Sequence, residues 1–188
     1  IGYLCKDCPR ACRAWRDETV GRGFCRCAAL PFLVRAAPHF GEEPCITGTR
    51  GSGAVFFSGC NLKCVFCQNY NISRAQTGTP VTSEKLRDIL LRLRDKDVHN
   101  INLVTASHFT HELVPVLERA KKQGLDIPLL WNSSGYELPQ TLRMLDGLID
   151  IYLPDLKYTD ARLAARYSAA PDYFEAASAA IGEMFRQR

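Results

Sequence analysis

Three cysteines within eight residues, Cys60, Cys64 and Cys67, constrain this chain more than any other feature. They lie in Gly59-Cys60-Asn61-Leu62-Lys63-Cys64-Val65-Phe66-Cys67, directly after the apolar run Ala54–Phe57, with the spacing Cys-x3-Cys-x2-Cys. Thiolates are the usual protein ligands of iron–sulfur clusters, and three so close together can grip three irons of a [4Fe-4S] cubane. The fourth iron then has no ligand in the loop, and an open coordination position is where a metal centre does chemistry. Three other arrangements use the same residues. Cys64 and Cys67 could form a thioredoxin-like redox pair, but such a pair opens a helix and leaves Cys60 without a role. The triplet could join another residue around a structural zinc. The thiols could also fill a core, which the polar neighbours Asn61 and Lys63 argue against.

The rest of the chain favours a metal centre. Nine cysteines are an odd number, and 188 residues suffice for a real core without disulfide stapling. Clustered thiols of this kind point to a reducing, cytoplasmic setting. No apolar run reaches the roughly 18–20 residues that span a bilayer, no leader is evident, and neither membrane insertion nor export is expected. The net charge of +4 is mild. A nucleic-acid binder would show a denser basic stripe interleaved with aromatics, so none is expected as a partner.

Residues 1–50 are rich in Cys, Arg and Pro, lack clear periodicity, and read as a loop-rich Cys-rich extension. From residue 51 the pattern is α/β. Short apolar runs at Ala54–Phe57, Ile101–Val104, Pro128–Trp131 and Ile149–Leu153 suit buried parallel strands. Amphipathic stretches lie between them. Thr82 or Ser83 caps a helix running to about Asp95, with Leu86, Ile89, Leu90 and Leu93 on one face. A second helix ends at Gly124 with Leu113, Val114, Leu117 and Ala120 inward, and Pro115 is expected in its first turn. Leu138–Leu148 and Asp160–Phe185, the latter broken at Pro171, supply the remaining helices. Alternating strand and helix argue for right-handed βαβ units.

The triplet, with aromatic Phe66 before its last cysteine, resembles the signature of radical S-adenosylmethionine enzymes. The flanking run from Ala37-Pro38-His39-Phe40 through Glu42-Glu43-Pro44-Cys45 to Cys67-Gln68-Asn69-Tyr70 is similar to uncharacterised relatives of pyruvate formate-lyase activating enzyme. The resemblance implies a partial (β/α) barrel, here cut short after about four strand–helix units, with residues 51–188 an incomplete core and the chain a fragment. It also implies a [4Fe-4S] cluster on Cys60, Cys64 and Cys67, with S-adenosylmethionine chelating the open iron. Reductive cleavage of that cofactor would give a 5′-deoxyadenosyl radical, and Phe66 would stand among the cofactor contacts. Expected partners are an electron donor such as flavodoxin or ferredoxin and a glycyl-radical or other protein substrate, or else a small molecule.

Later strand ends carry polar residues at matching places. Asn132-Ser133-Ser134-Gly135 follows the third run and Asp155-Leu156-Lys157 the fourth, where the resemblance implies cofactor contacts. A lysine there can pair with a carboxylate, and an aspartate can accept from an ammonium or hydroxyl. Ordinary turn chemistry explains the same residues without a ligand. The Gly-Gly-Glu stretch common after the second strand is replaced by Thr105-Ala106-Ser107-His108-Phe109, where Thr105 or Ser107 could substitute and His108 is a candidate acid–base group. His99 and His111 are expected at the surface. Cys5, Cys8, Cys12 and Cys25 form a second candidate four-thiolate set for zinc or an auxiliary cluster, with Cys27 and Cys45 as alternative ligands or buried thiols. The competing functional class is a non-catalytic iron–sulfur or zinc module with a structural or electron-transfer role.

Overall fold

The computed structural model describes residues 2–19, 21–74 and 77–188. A small antiparallel ribbon, β1 (Tyr3–Leu4) and β2 (Trp15–Arg16), precedes a six-stranded mixed sheet. The sheet comprises β3 (Phe32–His39), β4 (Ser52–Phe57), β5 (Thr79–Pro80), β6 (Ile101–Val104), β7 (Leu129–Ser133) and β8 (Ile151–Pro154), in the order β5-β3-β4-β6-β7-β8. Strands β4, β6, β7 and β8 run parallel, while β3 is antiparallel to both of its neighbours. The four expected apolar runs are these four parallel strands, Ile101–Val104 unchanged and the others with ends shifted by at most two residues.

The longest strand of the sheet is not among the expected runs, nor are the two-residue strands β1, β2 and β5. The extension is not loop throughout: Phe32–His39 joins the main sheet and pairs with β4 across residue 50.

Short helices α1 (Pro44–Thr47) and α2 (Tyr70–Ser73) flank β4. The first long helix, α3 (Ser83–Arg94), is capped by the Thr82 hydroxyl, which accepts from the Lys85 amide at 3.3 Å. Such a cap contributes about 1 kcal/mol. Leu86, Leu90 and Leu93 are its buried stripe. In α4 (Thr110–Lys122) the buried residues include Leu113, Val116, Leu117 and Ala120. Pro115 lies deeper than its first turn, because the helix begins at Thr110 straight after a 3₁₀ turn at Ser107–Phe109. Next come α5 (Pro139–Leu142), α6 (Ala161–Ser168) and α7 (Tyr173–Arg186), the last two separated at Pro171 as anticipated. Among the described residues no helix is long and apolar enough to cross a membrane.

Alternation along the strands divides the sheet into two faces. Val55, Phe57, Ile101, Leu103, Leu129 and Trp131 pack with residues of α3, α4 and α7 into the main core. The opposite face, carrying Phe56, Val104 and Asn132, lines a cavity of about 640 Å³. A second apolar cluster, including Leu62, Cys64, Tyr136 and Tyr173, supports the cysteine loop from below.

Candidate metal centre

The loop after β4 turns at Gly59, whose φ of +81° is a left-handed conformation. A side chain there would also collide with the Cys27 sulfur, 2.1 Å from an ideal Cβ. From this turn Cys60, Cys64 and Cys67 all face the cavity, as does Phe66, and so do Asn132, Ser134, Asp155 and Lys157 at the ends of β7 and β8. The parallel strands thus bring together residues nearly a hundred positions apart at their C-terminal ends, where α/β folds place ligands.

Each element of the loop is tied down. The Leu62 amide donates to Cys60 Sγ at 3.4 Å, and the Ser168 hydroxyl to Cys64 Sγ at 2.9 Å. The Val65 amide donates to the Tyr167 carbonyl at 2.9 Å, fixing the loop to the end of α6. Asn61 Nδ2 donates to the Tyr136 carbonyl at 2.6 Å. From the N-terminal extension, Arg10 Nε donates to the Asn61 carbonyl at 2.7 Å, while its Nη atoms donate to the Ser168 and Ala169 carbonyls. Burial pushes the Cys60 thiol up to about 12.

The ends of β7 and β8 are joined through Tyr173, which is fully buried. Its hydroxyl donates toward the Ser134 and Asp155 carbonyls, at 2.7 and 3.0 Å, and accepts from the Lys157 amide at 2.9 Å. Gly135, at φ +73°, brings the two ends together, since an added Cβ would sit 2.5 Å from the Asp155 carbonyl. Lys157 Nζ pairs with Asp155 Oδ2 at 2.5 Å. Below this turn Glu137 accepts from Trp131 Nε1 at 2.8 Å and from the Ser133 hydroxyl at 2.9 Å. Sequence reasoning missed Tyr173 and Ser168, whose partners are distant in sequence, and Glu137, which only the turn at Gly135 folds back under β7.

Thr105 lines the cavity with φ +55°, a rare conformation for a β-branched residue and a form of strain found at functional sites. Ser107 is buried rather than turned to the cavity. Asn102, two residues before Val104 and on the same sheet face, is fully buried with both amide atoms unpartnered.

His108 does not face the cavity, against the expectation of an acid–base group. The 3₁₀ turn after β6 swings its imidazole beneath the end of β4, where Nε2 donates to the Ser58 carbonyl at 2.8 Å. Burial holds its pKa below the ordinary imidazole value. Its role is to brace the strand end two residues before Cys60. His111 is half exposed and pairs with Asp7 at 2.7 Å, and His99 lies by Thr49 and Arg50 at the surface.

In the extension Cys5, Cys8 and Cys25 are buried and Cys12 is exposed. Gly23 leaves a cradle between two of these thiols: a Cβ there would lie 3.2 Å from Cys12 Sγ and 4.0 Å from Cys25 Sγ. Arg16 is buried, donating to Cys25 Sγ at 3.0 Å and to the His108 carbonyl at 2.5 Å. Cys27 is a buried thiol between Gly59 and Cys25, donating to the Cys25 carbonyl at 3.3 Å, and Cys45 is exposed. Among the described residues, no three His, Cys, Asp or Glu side chains are gathered as a group that could hold a metal ion. A cubane holds its thiolates farther apart than a single ion does. Three thiols on one open cavity, with an amide and a hydroxyl donating to two of them, are a donor set that fits a cluster.

A mixed α/β fold with a three-thiol loop at its parallel strand ends defines an iron–sulfur cluster-binding class of protein. Residues 47–169 match the model of the 4Fe-4S single cluster domain, and the chain belongs to that family. It is also similar to an uncharacterized protein of Methanocaldococcus jannaschii, 31% identical over 178 residues, which cover 91% of this chain and 50% of that protein. The chain thus spans about half the length of this curated relative.

Proposed function

We propose that this chain forms the core of a radical S-adenosylmethionine enzyme similar to pyruvate formate-lyase activating enzyme, built as part of a (β/α) barrel. The observation that carries the reading is the shared cavity, with three thiols on one side and Asp155, Lys157, Asn132 and Ser134 on the other. The bound cluster and cofactor would supply reductive cleavage of S-adenosylmethionine to a 5′-deoxyadenosyl radical that abstracts hydrogen from a substrate.

The chain's own residues hold and orient. Cys60, Cys64 and Cys67 are the cluster ligands in this reading, and they leave one iron open. Lys157 can exchange its Asp155 partner for the cofactor carboxylate, freeing Asp155 to accept from an ammonium or hydroxyl. Tyr173 positions both by fixing the backbone on either side of them. Asn132 and Ser134 offer uncharged donors at the end of β7, and the exposed ring of Phe66 covers the apolar side. An electron donor such as flavodoxin or ferredoxin, and a glycyl-radical or other substrate, complete the proposal.

Anaerobic reconstitution followed by dithionite and S-adenosylmethionine tests it. We expect 5′-deoxyadenosine from the wild type and none after Cys60, Cys64 and Cys67 become Ala. Iron loading without any cofactor cleavage would instead favour a non-catalytic cluster module. The N-terminal thiols remain candidate ligands of a second metal, supported by the Cys12–Cys25 cradle at Gly23. Zinc, or more iron than one cluster needs, should be found and should fall in Cys8→Ala and Cys25→Ala; its absence from the wild type would reject that site.

A further inference from the structure

The β7 and β8 side of the cavity is accounted for by the proposed function, but its opposite wall is not. That wall is β3, whose last residues open the Ala37-Pro38-His39-Phe40 run. In a regular antiparallel register, with Leu33 opposite Phe57, Arg35 would stand opposite Val55 and face the helix-covered core. A β-bulge intervenes: Leu33 does pair with Phe57, but Arg35 pairs with Phe56. One extra residue reverses the facing of every side chain beyond it. Arg35, Ala37 and His39 are thereby turned to the Phe56 side, while Leu33 and Ala36 stay with the core. Arg35 and His39 both line the cavity.

The charges on this wall do not cancel at Arg35. Lys157 is already tied to Asp155. Glu42 also lines the cavity; burial raises its carboxyl pKa, and the neighbour acting against that is His39, not Arg35. The Arg35 side chain is exposed and has no hydrogen bond or ion pair among the described residues. A bulge that spends a strand's regularity to aim an unpaired guanidinium into a cavity is a recognition device, since a guanidinium presents a planar fork matched to oxyanions. A single uncompensated cation suits one oxyanion rather than a polyanion.

We propose that Arg35 recognises a carboxylate or phosphate carried by the substrate, held across the cavity from Asp155 and Lys157. This rests on reading the cavity as a radical S-adenosylmethionine site. The test is calorimetric titration of the cluster-loaded protein at fixed ionic strength. Inorganic phosphate and succinate are the probes, and succinamide is the uncharged control. We expect saturable binding of at least one anion, the stronger naming the group, and none of succinamide. Arg35→Gln should weaken the anion about 10- to 100-fold, the loss of a charge-assisted hydrogen bond, with Arg35→Lys intermediate. Binding should persist when S-adenosylmethionine is already saturating. Equal affinity in wild type and Arg35→Gln, or no saturable anion binding to the wild type, would overturn the proposal. Displacement of the anion by S-adenosylmethionine would also overturn it, by assigning Arg35 to the cofactor carboxylate. Arg35-dependent anion binding in a protein that never yields 5′-deoxyadenosine would instead fail the radical reading and leave the anion site standing.

Discussion

Replacing Glu137 by alanine isolates how the end of β7 is held. Its carboxylate is 3% exposed and serves two buried donors, Trp131 Nε1 and the Ser133 hydroxyl. Ser133 in turn accepts from the Gly135 amide at 3.0 Å, so the turn that presents Asn132 and Ser134 rests on this carboxylate. Alanine strands both donors in a site too tight for free hydration, at about 1–3 kcal/mol each. The sum, about 2–6 kcal/mol, is a large part of the 5–15 kcal/mol that typically stabilises a domain. Glutamine keeps an acceptor for Trp131 but opposes an amide to Ser133, and should cost about 1 kcal/mol. Burial raises the Glu137 pKa. The folded state therefore keeps its proton to higher pH than the unfolded chain, and stability falls as pH rises from the ordinary carboxylate value toward the folded one. Glu137→Gln should abolish that part of the slope. Urea unfolding followed by tryptophan fluorescence measures both effects, as a lower midpoint at unchanged m. An alanine variant within 1 kcal/mol of wild type, or a glutamine variant with the same pH slope, would refute the reasoning.

Other expected outcomes concern the surroundings of the loop. Arg16→Met should destabilise by about 3–5 kcal/mol in thermal unfolding, because it strips the His108 carbonyl and Cys25 Sγ of their buried donor and leaves buried Asp7 with His111 alone. Tyr173→Phe should cost about 1–3 kcal/mol and reduce 5′-deoxyadenosine formation more than it reduces iron content, since the cysteines are untouched. Gly59→Ala should lower iron per chain as measured colorimetrically, because the added methyl meets both an unfavourable φ and the Cys27 sulfur. His108→Phe should weaken the folded state without altering the pH dependence of cofactor cleavage, and an altered pH profile would return His108 to the chemistry.

Much of the layout is readable from local pattern. Four short apolar runs are the four parallel strands, and Thr82 caps α3 by the expected side-chain contact. The failures have physical causes. Strand β3 escapes because its bulge breaks the two-residue alternation and because Pro38 argues against a strand interior. Proline is tolerated there since β5 pairs only with Phe32 and Leu33, leaving the rest of β3 an edge. His108 reads as a functional histidine from its place after β6; only the 3₁₀ turn decides that it faces Ser58. The triplet and the polar strand ends are visible in the sequence, whereas Tyr173 and Ser168 act on residues 16 to 104 positions away.

Arg10 has a consequence for biosynthesis. The cysteine loop is clasped between Arg10, made well before it, and the α6–α7 turn near residue 168, made about a hundred residues after it. A nascent chain emerging from the ribosome therefore displays three reactive thiols long before their enclosure exists. Iron delivered too early would meet a slack, oxidisable loop, so cluster insertion should follow synthesis of the α6–α7 turn. Pulse-labelled iron appearing on stalled chains that end before residue 168 would contradict that order.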